Sequence, residues 1–261
     1  MNFGQTVLLG AIAGFTIYLG LPLGRIKKLP ENLRSFLSMS SAGILIFLFF
    51  DIFSQLSAPI EENLKARNFP QFYTLLGLFV FGFGFGLLAL IVFERRFIRM
   101  RTGVGGVAQA LSPTRLALMI AAGIGLHNFS EGLAIGQSAG SGELAFAGIL
   151  IVGFGLHNAT EGFGIIGPLA GKERPSWGFL GLVGLIGGGP TFLGTMLGYY
   201  VVSTAMSVLF LSMAAGALVY IVGELFQMNW RSATKVPATW GVLAGFLFAY
   251  LTDLLLVSAG I

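Results

Sequence analysis

The chain has 261 residues, of which 55% are hydrophobic and only 10% charged, with a formal net charge of +4. Soluble domains carry about 25% charged residues, so this composition excludes a soluble fold and points to a bilayer, where each helix can turn its apolar side to lipid. The basic balance does not mark a nucleic-acid binder, because Lys and Arg sit in short connections between apolar runs and not on one water-exposed face. The absence of cysteine excludes a disulfide framework and any thiolate metal site.

A membrane-crossing helix needs about 20 mostly apolar residues. In chain order, eight stretches meet that requirement: Gln5–Leu23, Leu33–Ser57, Phe72–Phe93, Leu116–Ala139, Leu144–Ala170, Trp177–Val202, Ala205–Met228 and Thr239–Ala259. The first lacks the basic leader of a signal peptide and is read as a span. The 39 glycines suit helices that pack closely in lipid. The expected fold is an all-α polytopic membrane protein, a single eight-helix unit over residues 1–261 with no separate soluble domain.

Loop charges test the count. The first, third, fifth and seventh connections hold 13 of the 15 basic residues, among them Arg25, Arg34, Arg115, Lys172 and Lys235. The even-numbered connections hold only Lys65 and Arg67, beside Glu61 and Glu62. Cytoplasmic loops carry the excess of Lys and Arg. This alternation predicts odd loops inside and both termini outside, in a cell membrane.

Five carboxylates fall within the spans: Asp51, Glu131, Glu161, Glu224 and Asp253. A charge at the bilayer centre costs about 2.5–3.5 kcal/mol on insertion scales, so such residues mark cavities or ion pathways. The only two histidines share one context. The fourth span reads His127-Asn128-Phe129-Ser130-Glu131-Gly132 and the fifth His157-Asn158-Ala159-Thr160-Glu161-Gly162, a repeat of H-N-x-[ST]-E-G at a spacing of 30. Residues i and i+4 share a helix face. Each histidine therefore points the same way as its glutamate, with the asparagine on an adjoining strip.

The short link near Gly140 predicts that the two helices are antiparallel neighbours whose motifs meet near the midplane. One histidine alone reads best as a helix-packing hydrogen bond. Two in the same six-residue setting read as a metal site made of His127, Asn128, Glu131, His157, Asn158 and Glu161. Imidazole favours Zn²⁺ or Fe²⁺, and the oxygen ligands admit Mn²⁺. The metal is expected as transported substrate, with no cofactor. For Asp51, Glu224 and Asp253, packing hydrogen bonds and an ion pathway weigh equally. The glycine runs around Gly84 and Gly188 read as close-packing faces or helix breaks and not phosphate loops.

Over its whole length the chain resembles the ZIP family of zinc- and iron-regulated transporters. The resemblance rests on eight spans and on the paired motifs in spans four and five, where the family has H-N-x-P-E-G and [HQ]-[ND]-x-P-E-G. It implies an inverted-repeat helix bundle, a binuclear site on the six residues named, uptake of divalent metal toward the cytoplasm, and a homodimer. The sequence departs from the pattern at Ser130 and Thr160, which replace prolines and could bond the carbonyls of Leu126 and Leu156. It departs again at Thr191, where the family often carries a glutamate. That change predicts one tightly and one loosely bound ion.

The competing reading is an intramembrane zinc hydrolase, with His127, His157 and Glu131 as ligands and Glu161 as general base. The lack of H-E-x-x-H and the duplicated asparagines favour the carrier. The remaining reading, a scaffold protein, leaves the repeat unexplained. Along the path, Asp51 and Asp253 are expected between the outer water and the midplane, and Glu224 on the cytoplasmic side.

Overall fold

The computed structural model describes residues 2–26, 29–93, 112–140, 155, 157–172, 174–201, 203–229 and 234–258. The described residues form helices: α1 Phe3–Phe15, α2 Glu31–Lys65, α3 Phe69–Phe93, α4 Pro113–Gly140, α5 at 157–166, α6 Trp177–Gly198, α7 Thr204–Asn229 and α8 Lys235–Ser258. By length and composition, six segments suit a membrane crossing: Phe3–Arg25, Glu31–Lys65, Phe69–Val92, Pro113–Gly140, Trp177–Gly198 and Thr204–Asn229. The described part of α5 is too short to count. The 24 residues of α8 fall outside this set, yet at 1.5 Å per residue they reach about 36 Å, enough for a hydrocarbon core of about 30 Å. The chain is an all-α polytopic membrane protein.

Two boundaries differ from the sequence expectation. The first span is not one continuous helix. After Phe15 the backbone tightens into 3₁₀ turns at Thr16–Leu19 and Leu21–Arg25. Pro22 has no amide hydrogen to continue the α ladder, and Gly20 lets this segment press onto the backbone of Ala159 and Phe163 in α5. The second helix runs past Ser57 to Lys65. Pro59 deletes one ladder bond without stopping it, and the last turn carries an exposed Lys65–Glu61 pair at 3.4 Å. The chain reverses at Arg67, whose φ of 56° is left-handed and closes the helix in the manner of a C-terminal cap. Most of the basic third connection, the link after Gly140, Leu156 and the first part of span five lie outside the described residues.

Helix ends follow local chemistry. Asn2 and Gln5 form a reciprocal capping box on α1, and the Ser176 hydroxyl accepts from Phe179 N–H at the start of α6. The pairing of helices follows glycine. In lipid there is no hydrophobic drive between helices, so association depends on close packing, which small residues permit. Gly132 of α4 lies against the Thr191 carbonyl of α6, Gly245 of α8 against the Ser40 carbonyl of α2, and Gly216 of α7 against the Phe83 carbonyl of α3.

These contacts sort the helices into two groups. α1, α4, α5 and α6 pack on one another, and α2, α3, α7 and α8 do likewise. The groups meet where α4 packs on α7 and where the 3₁₀ turn Gly167–Leu169, following α5, packs on α2.

Candidate metal site

The H-N-x-[ST]-E-G repeats lie at the centre of the first helix group. His127, Asn128, Glu131, His157, Asn158 and Glu161 are all buried. Helical spacing places His127 Nε2 3.3 Å from Glu131 Oε1 and His157 Nε2 3.6 Å from Glu161 Oε1. The imidazole rings stand 6.1 Å apart between centroids, at 65°. One ligand atom from each of His127, His157 and Glu161 lies within 4.8 Å of the other two. Two helices thus bring the only histidines in the chain to one point.

The asparagines have unequal roles. Asn128 Nδ2 donates to Asn158 Oδ1 at 2.7 Å and to the Gly187 carbonyl at 3.0 Å. Asn158 Nδ2 donates to the Ala13 carbonyl at 3.0 Å. This network ties α4 and α5 to α6 and α1. Among the described residues Asn128 Oδ1 has no hydrogen-bond partner, whereas Asn158 Oδ1 is engaged.

Buried polar atoms are normally hydrogen-bonded. Here Asn128 Oδ1, both His127 ring nitrogens, His157 Nδ1, Glu131 Oε2 and both Glu161 oxygens have no hydrogen-bond partner among the described residues. Such a concentration of unsatisfied donors and acceptors, mixing nitrogen with oxygen, fits a transition metal better than a packed core.

Ser130 does not bond the Leu126 carbonyl as the sequence suggested. Its hydroxyl is buried and unpartnered, and α4 continues through it without a break. Leu156 lies outside the described residues, so the matching bond of Thr160 is not drawn. Thr191 is fully buried, with its hydroxyl unpartnered, and its side chain lies against Gly14 of α1.

The remaining carboxylates are not packed into the cluster. Asp51 accepts from Gln55 Nε2 at 2.8 Å and lies within electrostatic reach of His127 and of Asp253. Asp253 is likewise in reach of His157. The two aspartates, 202 positions apart in sequence, therefore lie within electrostatic reach of each other. Glu224 is half-buried in α7. Sequence reasoning missed the backbone carbonyls of Ala13 and Gly187, which hold the asparagines. No side-chain pattern announces a carbonyl.

A helical bundle of membrane spans with imidazoles and carboxylates clustered inside it defines a class: polytopic membrane proteins with a cluster of side chains able to ligate a metal. Comparison with known proteins narrows the class. The chain is 31% identical to the zinc transporter ZupT of Escherichia coli O7:K1 and 30% identical to that of Escherichia coli O127:H6, with 98% of each chain covered in both cases. No family model matches it. At that identity over its full length, the chain belongs to the ZIP family of metal transporters.

Proposed function

We propose that the chain carries a divalent transition metal, zinc foremost and Fe²⁺ or Mn²⁺ as further cargoes, across the cell membrane toward the cytoplasm. His127, His157 and Glu161 hold the ion first, and Asn128 Oδ1 and Glu131 complete the shell. Asn158 acts mainly by orienting Asn128. The observation that carries this reading is the convergence of both histidines and Glu161 within 4.8 Å, lined with polar atoms that have no hydrogen-bond partner among the described residues. The names of the relatives support zinc as the cargo and transport, not hydrolysis, as the activity.

The site belongs to one helix group and faces the other through Asp51 and Asp253. Alternating access then follows from movement of α1, α4, α5 and α6 against α2, α3, α7 and α8, with the ion carried in the former. Asp51 and Asp253 collect the dication from outside, and Glu224 assists its exit. Thr191 supplies at most a neutral oxygen, so a second ion binds more weakly than the first.

The experiment is zinc uptake into proteoliposomes. Saturable uptake is expected for the wild type and its loss for His127→Ala and for His157→Ala, with both variants still inserted in the membrane. Wild-type rates in both variants would reject the assignment.

A further inference from the structure

A polar cavity of about 180 Å³, lined by none of the candidate metal-site residues, lies at the end of the bundle that carries the basic connections. It is lined by Glu31, Arg34 and Ser35 at the start of α2, by Lys172 in the turn after α5, by Met228 and Asn229 at the end of α7, and by Thr234. Among the described residues, its lining carries two cations and one carboxylate. Glu31, the carboxylate, is exposed and makes no ion pair with either cation among the described residues.

Three features of this cavity lack a partner among the described residues. Ser35 is 6% exposed, and its hydroxyl has no hydrogen-bond partner among the described residues. The half-buried Arg34 guanidinium makes no side-chain hydrogen bond or ion pair among those residues either. The helix that begins here is 35 residues long, and Pro30 at its N-cap supplies no side-chain acceptor, so first-turn amide hydrogens are left without a capping partner. The fourth feature is a positioned cation. A turn through Gly171, at φ 69°, brings round Lys172, whose ammonium donates to Asn229 Oδ1 at 3.2 Å.

A helix N-terminus with no side-chain cap, a lysine, and a guanidinium and buried hydroxyl without partners among the described residues all favour the same ligand chemistry. Helix N-termini bind anions, Arg matches the geometry of phosphate oxygens, and basic pockets between membrane helices on the cytoplasmic side take anionic headgroups. We propose that this cavity binds a phosphate-type oxyanion, supplied by the headgroup of an anionic phospholipid or by free inorganic phosphate. A bound phosphate would bridge α2 and α7 of one helix group to Lys172 of the other. Nothing in this inference depends on the identity of the transported metal.

The test uses the full-length protein in nanodiscs of phosphatidylcholine. Thermal unfolding is followed in two arms, one with increasing phosphatidylglycerol in the disc and one with inorganic phosphate added at constant ionic strength. The wild type should be stabilised in at least one arm, since a ligand of the folded state raises its melting temperature. The arm that responds identifies the source. Arg34→Gln and Ser35→Ala should each weaken the response about tenfold in ligand concentration, while Arg115→Gln, a charge at the start of α4 outside the cavity, should leave it unchanged. Native mass spectrometry of the same samples gives a second reading, with one bound phosphatidylglycerol in the wild type and none in Arg34→Gln if lipid is the source. The proposal is overturned if neither arm stabilises the wild type, or if Arg115→Gln weakens the response as much as Arg34→Gln.

Discussion

At the scale of single residues, the duplicated motif gave away the histidines and glutamates because i, i+4 spacing survives any uncertainty in helix ends. It treated the two asparagines as equals, and there the structure differs. Asn128 donates twice and keeps a free carbonyl oxygen, and Asn158 holds the Ala13 backbone. Removing either leaves buried polar groups unpaired, which costs about 1–3 kcal/mol. Both Asn128→Ala and Asn158→Ala should therefore lower the melting temperature of the metal-free protein. Zinc should restore stability to Asn158→Ala nearly as in the wild type and far less to Asn128→Ala, which has lost a ligand oxygen. Thermal unfolding with and without zinc decides it, and equal zinc responses would remove Asn128 from the shell. Calorimetry bears on Thr191: one tight ion is expected, and two equally tight ions would show that the missing carboxylate does not matter.

At the scale of helices, hydropathy located six spans that the described residues bear out, but not the interruption of the first. The residues that break the first span, Gly20 and Pro22, sit in an apolar run, so their effect is invisible to a hydropathy window. The overshoot of α2 to Lys65 was hidden by the polar composition of residues 61–65, which helices tolerate outside the hydrocarbon. Glycine placement was legible only as a tendency, since sequence does not say which glycines face a partner. The structure separates them. A Cβ at Gly132 would meet the Thr191 carbonyl, whereas one at Gly84 would meet nothing within 4 Å. Gly132→Ala should destabilise the α4–α6 contact beside the site and reduce both folded yield and uptake. Gly84→Ala should be neutral or stabilising by up to about 1 kcal/mol, the helix-propensity difference. A Gly132→Ala protein as stable as Gly84→Ala would contradict the packing described.

At the scale of the whole molecule, the loop charges predicted an orientation, and the division into two helix groups emerged only in three dimensions. Partners such as α2 and α8 lie too far apart in sequence for any local pattern to join them. The proposed orientation places Asp51 and Asp253 on the outer approach. Because the chain has no cysteine, Asp51→Cys and Asp253→Cys should each react with an impermeant thiol reagent added from outside, and Glu224→Cys should not. The reverse pattern would invert the topology. Neutralising either aspartate as Asp51→Asn or Asp253→Asn should raise the KM for external zinc with little change in maximal rate.

The central claim is that one ion is held jointly by imidazoles from α4 and α5. Zinc-edge X-ray absorption on the purified protein loaded with one equivalent of zinc tests it most directly. Two imidazole ligands at about 2.0–2.1 Å are expected, with oxygen completing the shell, and one imidazole fewer in each of His127→Ala and His157→Ala. A shell of oxygen alone in the wild type would contradict it.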